Sequence, residues 1–161
     1  MNNVIISAKE ISLPSWSSSI CGFALKVLND IKRDNWELSI LLCTDKIITE
    51  LNAQYRNKNE PTDILSFSLG SEIQEDGITK YLPGDIVISL DTLKENAEFF
   101  KTDEDKELRR LIIHGILHLN GMDHKCIDIE KEPMLALQEE ILDKFKNERI
   151  IPQKILNGEK E

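Results

Sequence analysis

Apolar positions along the chain change their period several times, and each change marks an element. Asn3 to Ser7 reads as a short first strand. Pro14 then sits just inside a predicted helix start. Trp16, Ile20, Phe23, Ala24, Val27, Leu28 and Ile31 follow at helical spacing and form one apolar stripe. Trp36, Leu38, Ile40 and Leu42 fall on alternate positions, as in a half-buried strand. Ile47, Ile48, Leu51 and Tyr55 predict a second helix that ends near Arg56–Asn57.

Asn59-Glu60-Pro61 is a turn, and Ile64 to Phe67 is a short apolar run expected to be a strand. Gly70 to Gly84 is polar and predicts a long loop or loose hairpin. Ile86 to Ile88 is β-branched and predicts another strand. Ser89 to Phe100 predicts a helix with Leu90, Leu93 and Ala97 on one side. Thr102 and Asp105 fit a T-x-x-D helix start. From Leu111 to Leu119 that helix is apolar almost all round, the mark of a buried helix. A last helix is expected from about Ile129 to Lys146, with Met134, Gln138, Ile141, Leu142 and Phe145 on one face. Pro133 is tolerable there only in the first turn. The polar tail after Ile151 is expected to fray. Strands and helices mixed without a regular βαβ rhythm predict an α+β fold: a small mixed sheet packed with helices around a central buried helix. With 161 residues the chain suits one compact domain, 1–161, whose tail beyond about residue 150 is flexible.

Composition is that of an ordinary globular protein, 40% hydrophobic and 30% charged. No apolar run approaches the ~20 residues needed to cross a bilayer, and the N-terminus lacks a basic stretch followed by a long apolar one. Cys21, Cys43 and Cys126 are odd in number and form no CxxC pair, so they read as reduced thiols in a cytoplasmic protein with no membrane partner. A net charge of -9 argues against the whole surface binding nucleic acid, yet leaves room for a local basic groove.

All three histidines fall in one segment, His114-Gly-Ile-Leu-His118-Leu-Asn-Gly-Met-Asp-His124. On an α-helix, positions i and i+4 differ by about 40° in direction and ~6 Å in rise. His114 and His118 therefore leave one face close enough to share an ion. Asn120-Gly121 is a helix-stop signal, after which the chain can return His124 from a third direction. Three imidazoles leave one tetrahedral position open, as in catalytic rather than structural zinc. The plainer alternative is three satisfied core histidines, but burying three imidazoles on an apolar helix without a common partner carries a desolvation cost. The spacing also matches the extended zinc-protease pattern H-x-x-x-H-x-x-G-x-x-H, including Gly121. Those proteases carry a Glu base directly after the first His, and Gly115 stands there instead.

The run HGILHLNGMDH resembles the YbeY family of bacterial endoribonucleases, whose hallmark is H-G-x-L-H-L-x-G-Y-D-H. Leu51-Asn52-x-x-Tyr55-Arg56, Pro61-Thr62-Asp63-Ile64-Leu65-Ser66-Phe67, Gly84-Asp85-Ile86-Val87-Ile88-Ser89 and Met134-x-x-Leu137-Gln138-Glu139-Glu140-Ile141-Leu142 stand in the family's order. Met122 departs from the usual Tyr, at a position expected to pack rather than react. The resemblance implies a zinc-dependent single-strand endoribonuclease. It would act in ribosomal RNA maturation, at the 3′ end of the small-subunit rRNA, and in ribosome quality control. Its partners would be single-stranded RNA, ribosomal RNA and the ribosome, with no DNA expected.

Each candidate residue carries a functional and a plain reading. His114, His118 and His124 are the candidate ligands of one divalent ion, with zinc preferred among metals that suit imidazole. Arg56 is the candidate catalytic phosphate clamp, or else a helix-end arginine placed well for the dipole. Lys58 either assists it in binding substrate or is a solvated side chain. Asp85 is a candidate general base or histidine partner, or a strand-start residue. Asp63 either orients Arg56 or serves the turn, and Asp123 either orients an imidazole or serves its own turn. Cys126, two residues past His124, either reaches the metal or, the preferred reading, is an ordinary buried free thiol, and Met134 is a floor beneath the metal or core. No P-loop or GxGxxG is present. The competing functions are a zinc peptidase and a non-catalytic ribosome assembly factor with a structural metal.

Overall fold

The computed structural model describes residues 1–153, so the predicted flexible tail lies mostly outside the described residues. The order of elements is β1 (Asn3–Ala8), α1 (Ser17–Asp30), β2 (Glu37–Cys43), α2 (Asp45–Arg56), β3 (Ile64–Glu75), β4 (Ile78–Ser89), α3 (Leu90–Phe99), α4 (Glu104–Leu119) and α5 (Pro133–Lys144). The fold is α+β, with one four-stranded mixed sheet in the order β1-β2-β4-β3. β1, β2 and β4 run parallel, and β3 lies antiparallel to β4 at the edge. Parallel neighbours need a crossover. α1 supplies the first one, and α2 with β3 supplies the second, an arrangement that the sequence rhythm did not display.

Alternate strand residues face opposite sides of the sheet. On one side Leu38, Ile40, Leu42, Ile86 and Ile88 meet α1 through Phe23 and Val27, and α4 through Ile112 and Ile116, in the main core. On the other side Cys43, Leu65 and Val87 lie under Ile47 and Ile48 of α2 in a smaller cluster. α4 is the central helix. Leu108, Ile112, Ile113, Ile116 and Leu117 are fully buried, as its all-round apolar pattern requires. Among the described residues no helix is long and apolar enough to cross a membrane.

Four boundaries differ from the sequence expectation, each for a local reason. Residues Gly70 to Gly84 belong to a regular hairpin, because β3 and β4 each run for 12 residues. Its turn is Asp76-Gly77, at φ 52 and φ 77, the positive pair that a two-residue hairpin turn demands. The strands around it are polar and showed no apolar alternation. Gly84 sits at φ 137 near the register shift at Ser68/Ser71, and a Cβ there would stand 2.0 Å from the Phe67 carbonyl oxygen. The N-cap of α4 is Asp103 rather than Thr102, its carboxylate accepting from the Asp105 N–H at 2.7 Å. α5 begins at Pro133 rather than near Ile129, which puts the proline in the first turn where it is tolerated. α1 begins at Ser17, and Pro14 precedes it, accepting from the Ser17 N–H at 3.0 Å.

One buried carboxylate closes the structure at its C-terminal end. Asp105 is fully buried and accepts from Arg109 Nε at 2.9 Å and from the N–H groups of Ile150 and Ile151 at 2.6 and 2.8 Å. Removing it strands a buried guanidinium and two backbone donors. Asp105→Ala is expected to cost about 3–5 kcal/mol, read as a lower urea midpoint with an unchanged slope.

Candidate metal centre

The site is built at the C-terminal end of α4. His114 and His118 leave the helix one turn apart, with their Nε2 atoms 3.1 Å from each other. The helix stops in a Schellman turn: Gly121 N–H donates to the His118 carbonyl and Met122 N–H to the Leu117 carbonyl. Gly121 takes φ 92 to make it. The reversal brings His124 back over the helix end, with its ring centroid 5.2 Å from that of His114 and 5.5 Å from that of His118. One ring nitrogen from each of the three lies within 4.8 Å of the others.

The second nitrogen of every ring has its own partner. His114 Nδ1 meets Gln138 Oε1 at 2.6 Å, His118 Nδ1 meets the Met122 carbonyl at 3.1 Å, and His124 Nδ1 meets the Cys126 carbonyl at 2.9 Å. Carbonyl oxygens only accept, so each Nδ1 carries the proton and each Nε2 presents a lone pair. The Gln138 amide is itself oriented, since its Nε2 donates to Glu139 at 3.0 Å and turns Oε1 toward His114. Glu139 is gripped in turn by two donors of Arg110, at 3.0 and 3.1 Å. Burial holds the His114 and His118 rings below the ordinary imidazole value, which favours the neutral form. Two lone pairs facing each other at 3.1 Å repel unless a cation draws both. Nitrogens sharing one tetrahedral zinc at about 2.0–2.1 Å stand roughly 3.3–3.4 Å apart. The donor set therefore fits a metal site of the HxxxH type, with the tautomers and the carbonyl and amide partners usual for metal-binding imidazoles.

Gly115 explains the departure from the protease pattern. A Cβ there would stand 2.8 Å from Ile86 Cδ1 and 3.1 Å from Ile64 Cδ1, because α4 lies flat on the sheet at this point. The position after the first histidine faces the core, and a Glu at 115 would enter apolar packing. The peptidase reading loses its base for this reason.

The triad opens on both sides. One cleft, of about 460 Å³, is lined by His114, His118, Arg56, Ser66, Ser68 and Asp123. Arg56 ends α2 and reaches across β3, where its Nη2 donates to the Ser66 carbonyl at 2.8 Å. Its guanidinium also lies over the Phe67 ring, 5.7 Å from the centroid. Among the described residues no carboxylate pairs with Arg56. A second depression opens on the side of His124.

The remaining sequence candidates are distributed as follows. Asp85 pairs across the sheet with Phe67 and lines a hollow with Ser39 and Tyr55, on the α2 side. Ile86, its neighbour, faces α4, so the pleat carries Asp85 to the side of the sheet away from the triad. Asp63 does not hold Arg56; its carboxylate accepts from Asn96 at 3.3 Å, and burial pushes its pKa up. Asp123 accepts from the His124 N–H at 2.8 Å and stands 3.9 Å from His118 Nδ1, so it shapes the turn. Lys58 is exposed beyond the α2 cap, outside the residues that line the cleft. The Cys126 thiol donates to Glu132 at 3.4 Å, and Met134 is buried in the core. Sequence reasoning missed Gln138 and Glu132 as supports. Gln138 had a signal, a polar side chain in an apolar helical stripe that demands a buried partner. Glu132, which accepts from the N–H groups of Lys125 and Cys126 at 3.1 and 3.2 Å, had none.

An α+β scaffold with a histidine trio at the end of its central helix now stands beside known proteins. A family profile described as Endoribonuclease YbeY matches residues 3–146. This chain belongs to the Endoribonuclease YbeY family. The Endoribonuclease YbeY of Treponema denticola is 53% identical over 129 residues, covering 80% of this chain and 83% of that protein. That of Treponema pallidum is 43% identical over 143 residues, covering 88% and 89%. The solution structure of TM1509 from Thermotoga maritima superposes with a TM-score of 0.63 at 26% identity, covering 89% of this chain and 90% of that one.

The tight contact at Gly115 gives a direct test. Gly115→Ala is expected to destabilise the fold by about 1–3 kcal/mol through overpacking against Ile86 and Ile64. Thermal unfolding checks this, and the Ile86→Val background should recover part of the loss.

Proposed function

We propose that this protein is a zinc-dependent, single-strand-specific endoribonuclease. We place its action in the cytoplasm, in maturation of the small-subunit ribosomal RNA 3′ end and in ribosome quality control. Membership of an endoribonuclease family supports the reaction class. The observation that carries the site assignment is the alignment of three imidazoles, each with Nδ1 donating and Nε2 bare. His114, His118 and His124 would hold the ion. When bound, a divalent ion supplies Lewis-acid polarisation of a phosphodiester and makes nearby water more acidic.

The chain's own groups do the rest. Arg56 borders the same cleft as His114 and His118, anchored by one Nη2 bond that leaves its other donors for phosphate oxygens. Charge growing on the phosphate in the transition state meets that guanidinium. The hydroxyls of Ser66 and Ser68 line the path along the edge strand. Gln138 holds the His114 ring in its ligating tautomer and orientation. Asp123 borders the Arg56 cleft and Asp63 the depression on the His124 side, whereas Asp85 borders neither.

The primary test is cleavage of single-stranded RNA by the purified protein with and without a chelator, beside a duplex and a peptide substrate. Loss of RNA cleavage on chelation, with no peptide cleavage, is expected; chelator-insensitive RNA cleavage would refute metal dependence. His114→Ala should lose bound metal by elemental analysis, and full metal content in that variant contradicts the ligand assignment. Gln138→Leu is expected to weaken metal affinity about 10–100-fold, measured by competition with a chromogenic chelator. Arg56→Glu should keep metal content and melting temperature while RNA turnover collapses; turnover at the parent rate would end the clamp role.

A further inference from the structure

On the side of the triad away from Ser66 and Ser68 lies a trough of about 690 Å³, bordered by His114, His124, Phe100, Lys101, Lys106 and Ile127. His114 and Ile64 line this trough and the Arg56 cleft alike, so the two depressions adjoin at the histidines. We propose that the trough seats the nucleotide next to the scissile phosphate on the side away from Arg56, its base stacked on Phe100 and its phosphate met by Lys101 and Lys106. This rests on the endoribonuclease reading above and gives it a second contact region.

Three observations carry it. Phe100 is 64% exposed at the cap of α3, and Phe99 packs edge-on against it, with centroids 5.0 Å apart and planes at 89°. Ile127 and Ile129, on the loop after His124, are 89% and 49% exposed and border the same trough. Single exposed apolar residues are ordinary, but three around one hollow beside a reactive centre form a binding surface.

The second observation is charge. The chain as a whole carries -9, yet the trough's carboxylates are already engaged. Arg110 pairs with both Glu107 and Glu139, at 2.9 and 3.0 Å. Asp63 accepts from Asn96. Among the described residues Lys101 and Lys106 form no ion pair. Arg110, Lys101 and Lys106 together balance the three carboxylates of the lining, and the two lysines, held in no ion pair, are the cations at the rim that a phosphodiester can meet.

The third is what the trough leaves out. A ring face and two ammonium groups bind any base and any phosphate, the recipe for single strands without sequence preference. A paired base inside a duplex cannot offer its face to Phe100. The same contact that adds affinity therefore selects unpaired RNA.

The test uses the metal-loaded, full-length protein with a short single-stranded oligoribonucleotide and a set of the same oligomer carrying one abasic residue at successive positions. Phe100→Ala is expected to raise KM for the complete oligomer roughly ten- to a hundredfold with kcat little changed. That penalty should vanish for only one of the two oligomers whose abasic residue adjoins the cleaved bond, the one that places it on the trough side. A photo-reactive 4-thiouridine at that position should crosslink to the peptide that contains Phe100. The Lys101→Glu, Lys106→Glu double variant should flatten the salt dependence of log affinity by about 1.4. Unchanged KM in Phe100→Ala, or crosslinking only to the Arg56 cleft, overturns the proposal while leaving RNA cleavage intact. Failure of the parent protein to cleave or crosslink any RNA removes the endoribonuclease reading and this proposal together.

Discussion

The donation of each Nδ1 proton to a fixed oxygen is the interaction on which the candidate centre depends. A free imidazole can offer either nitrogen, and three of them have many arrangements. Here the choice is made by the Met122 and Cys126 carbonyls and by the Gln138 amide. Two of those acceptors are backbone atoms of the very loop that returns His124. The Schellman turn at Gly121 thus sets ring orientation as well as chain direction. The third acceptor comes from α5, and its own orientation passes through Glu139 to Arg110 on α4. The centre is held by two helices and one loop, so its geometry depends on the docking of α5.

A second constraint acts from beneath. α4 carries its histidines on one flank and packs flat through Gly115 on the other, against Ile86 and Ile64. The absence of a side chain there brings helix and sheet together and places the triad beside the β3 edge. Arg56 reaches the same cleft from α2 on the opposite face because β3 is the last strand and can be crossed. An edge strand serves here as a boundary over which groups from both faces meet.

What the sequence displayed followed from local rules. Helix α4 and the histidine spacing were legible because a 3.6-residue period places His114 and His118 without reference to anything else. The parallel order of β1, β2 and β4 was not, since pairing between distant segments leaves no trace in a single alternation. The polar strands between Gly70 and Gly84 left a long loop and a loose hairpin both open, although Asp76-Gly77 was a turn signal for the hairpin. The side on which Asp85 falls was hidden for a related reason: its place in a motif is linear, but the pleat sends it to the other face from Ile86. Gln138 lies 24 residues from His114, and Glu132 lies 6 residues from Cys126, whose N–H it holds, so spacing alone did not reveal either contact.

The outer half of the β3–β4 hairpin has a bearing on how copies of this protein coexist. Beyond the Trp36–Tyr81 bridge the two strands pair only with each other, so among the described residues a long ribbon projects with open backbone edges. Such ribbons recruit strands from neighbouring molecules. Glu72, Glu75 and Lys80 place charge along this one, Glu75 and Lys80 pairing at 3.4 Å, and the register shifts between Ser68 and Ser71, an irregularity of the kind that twists a strand. Those polar residues, which disguised the strands, are of the kind that discourages edge-to-edge pairing between molecules.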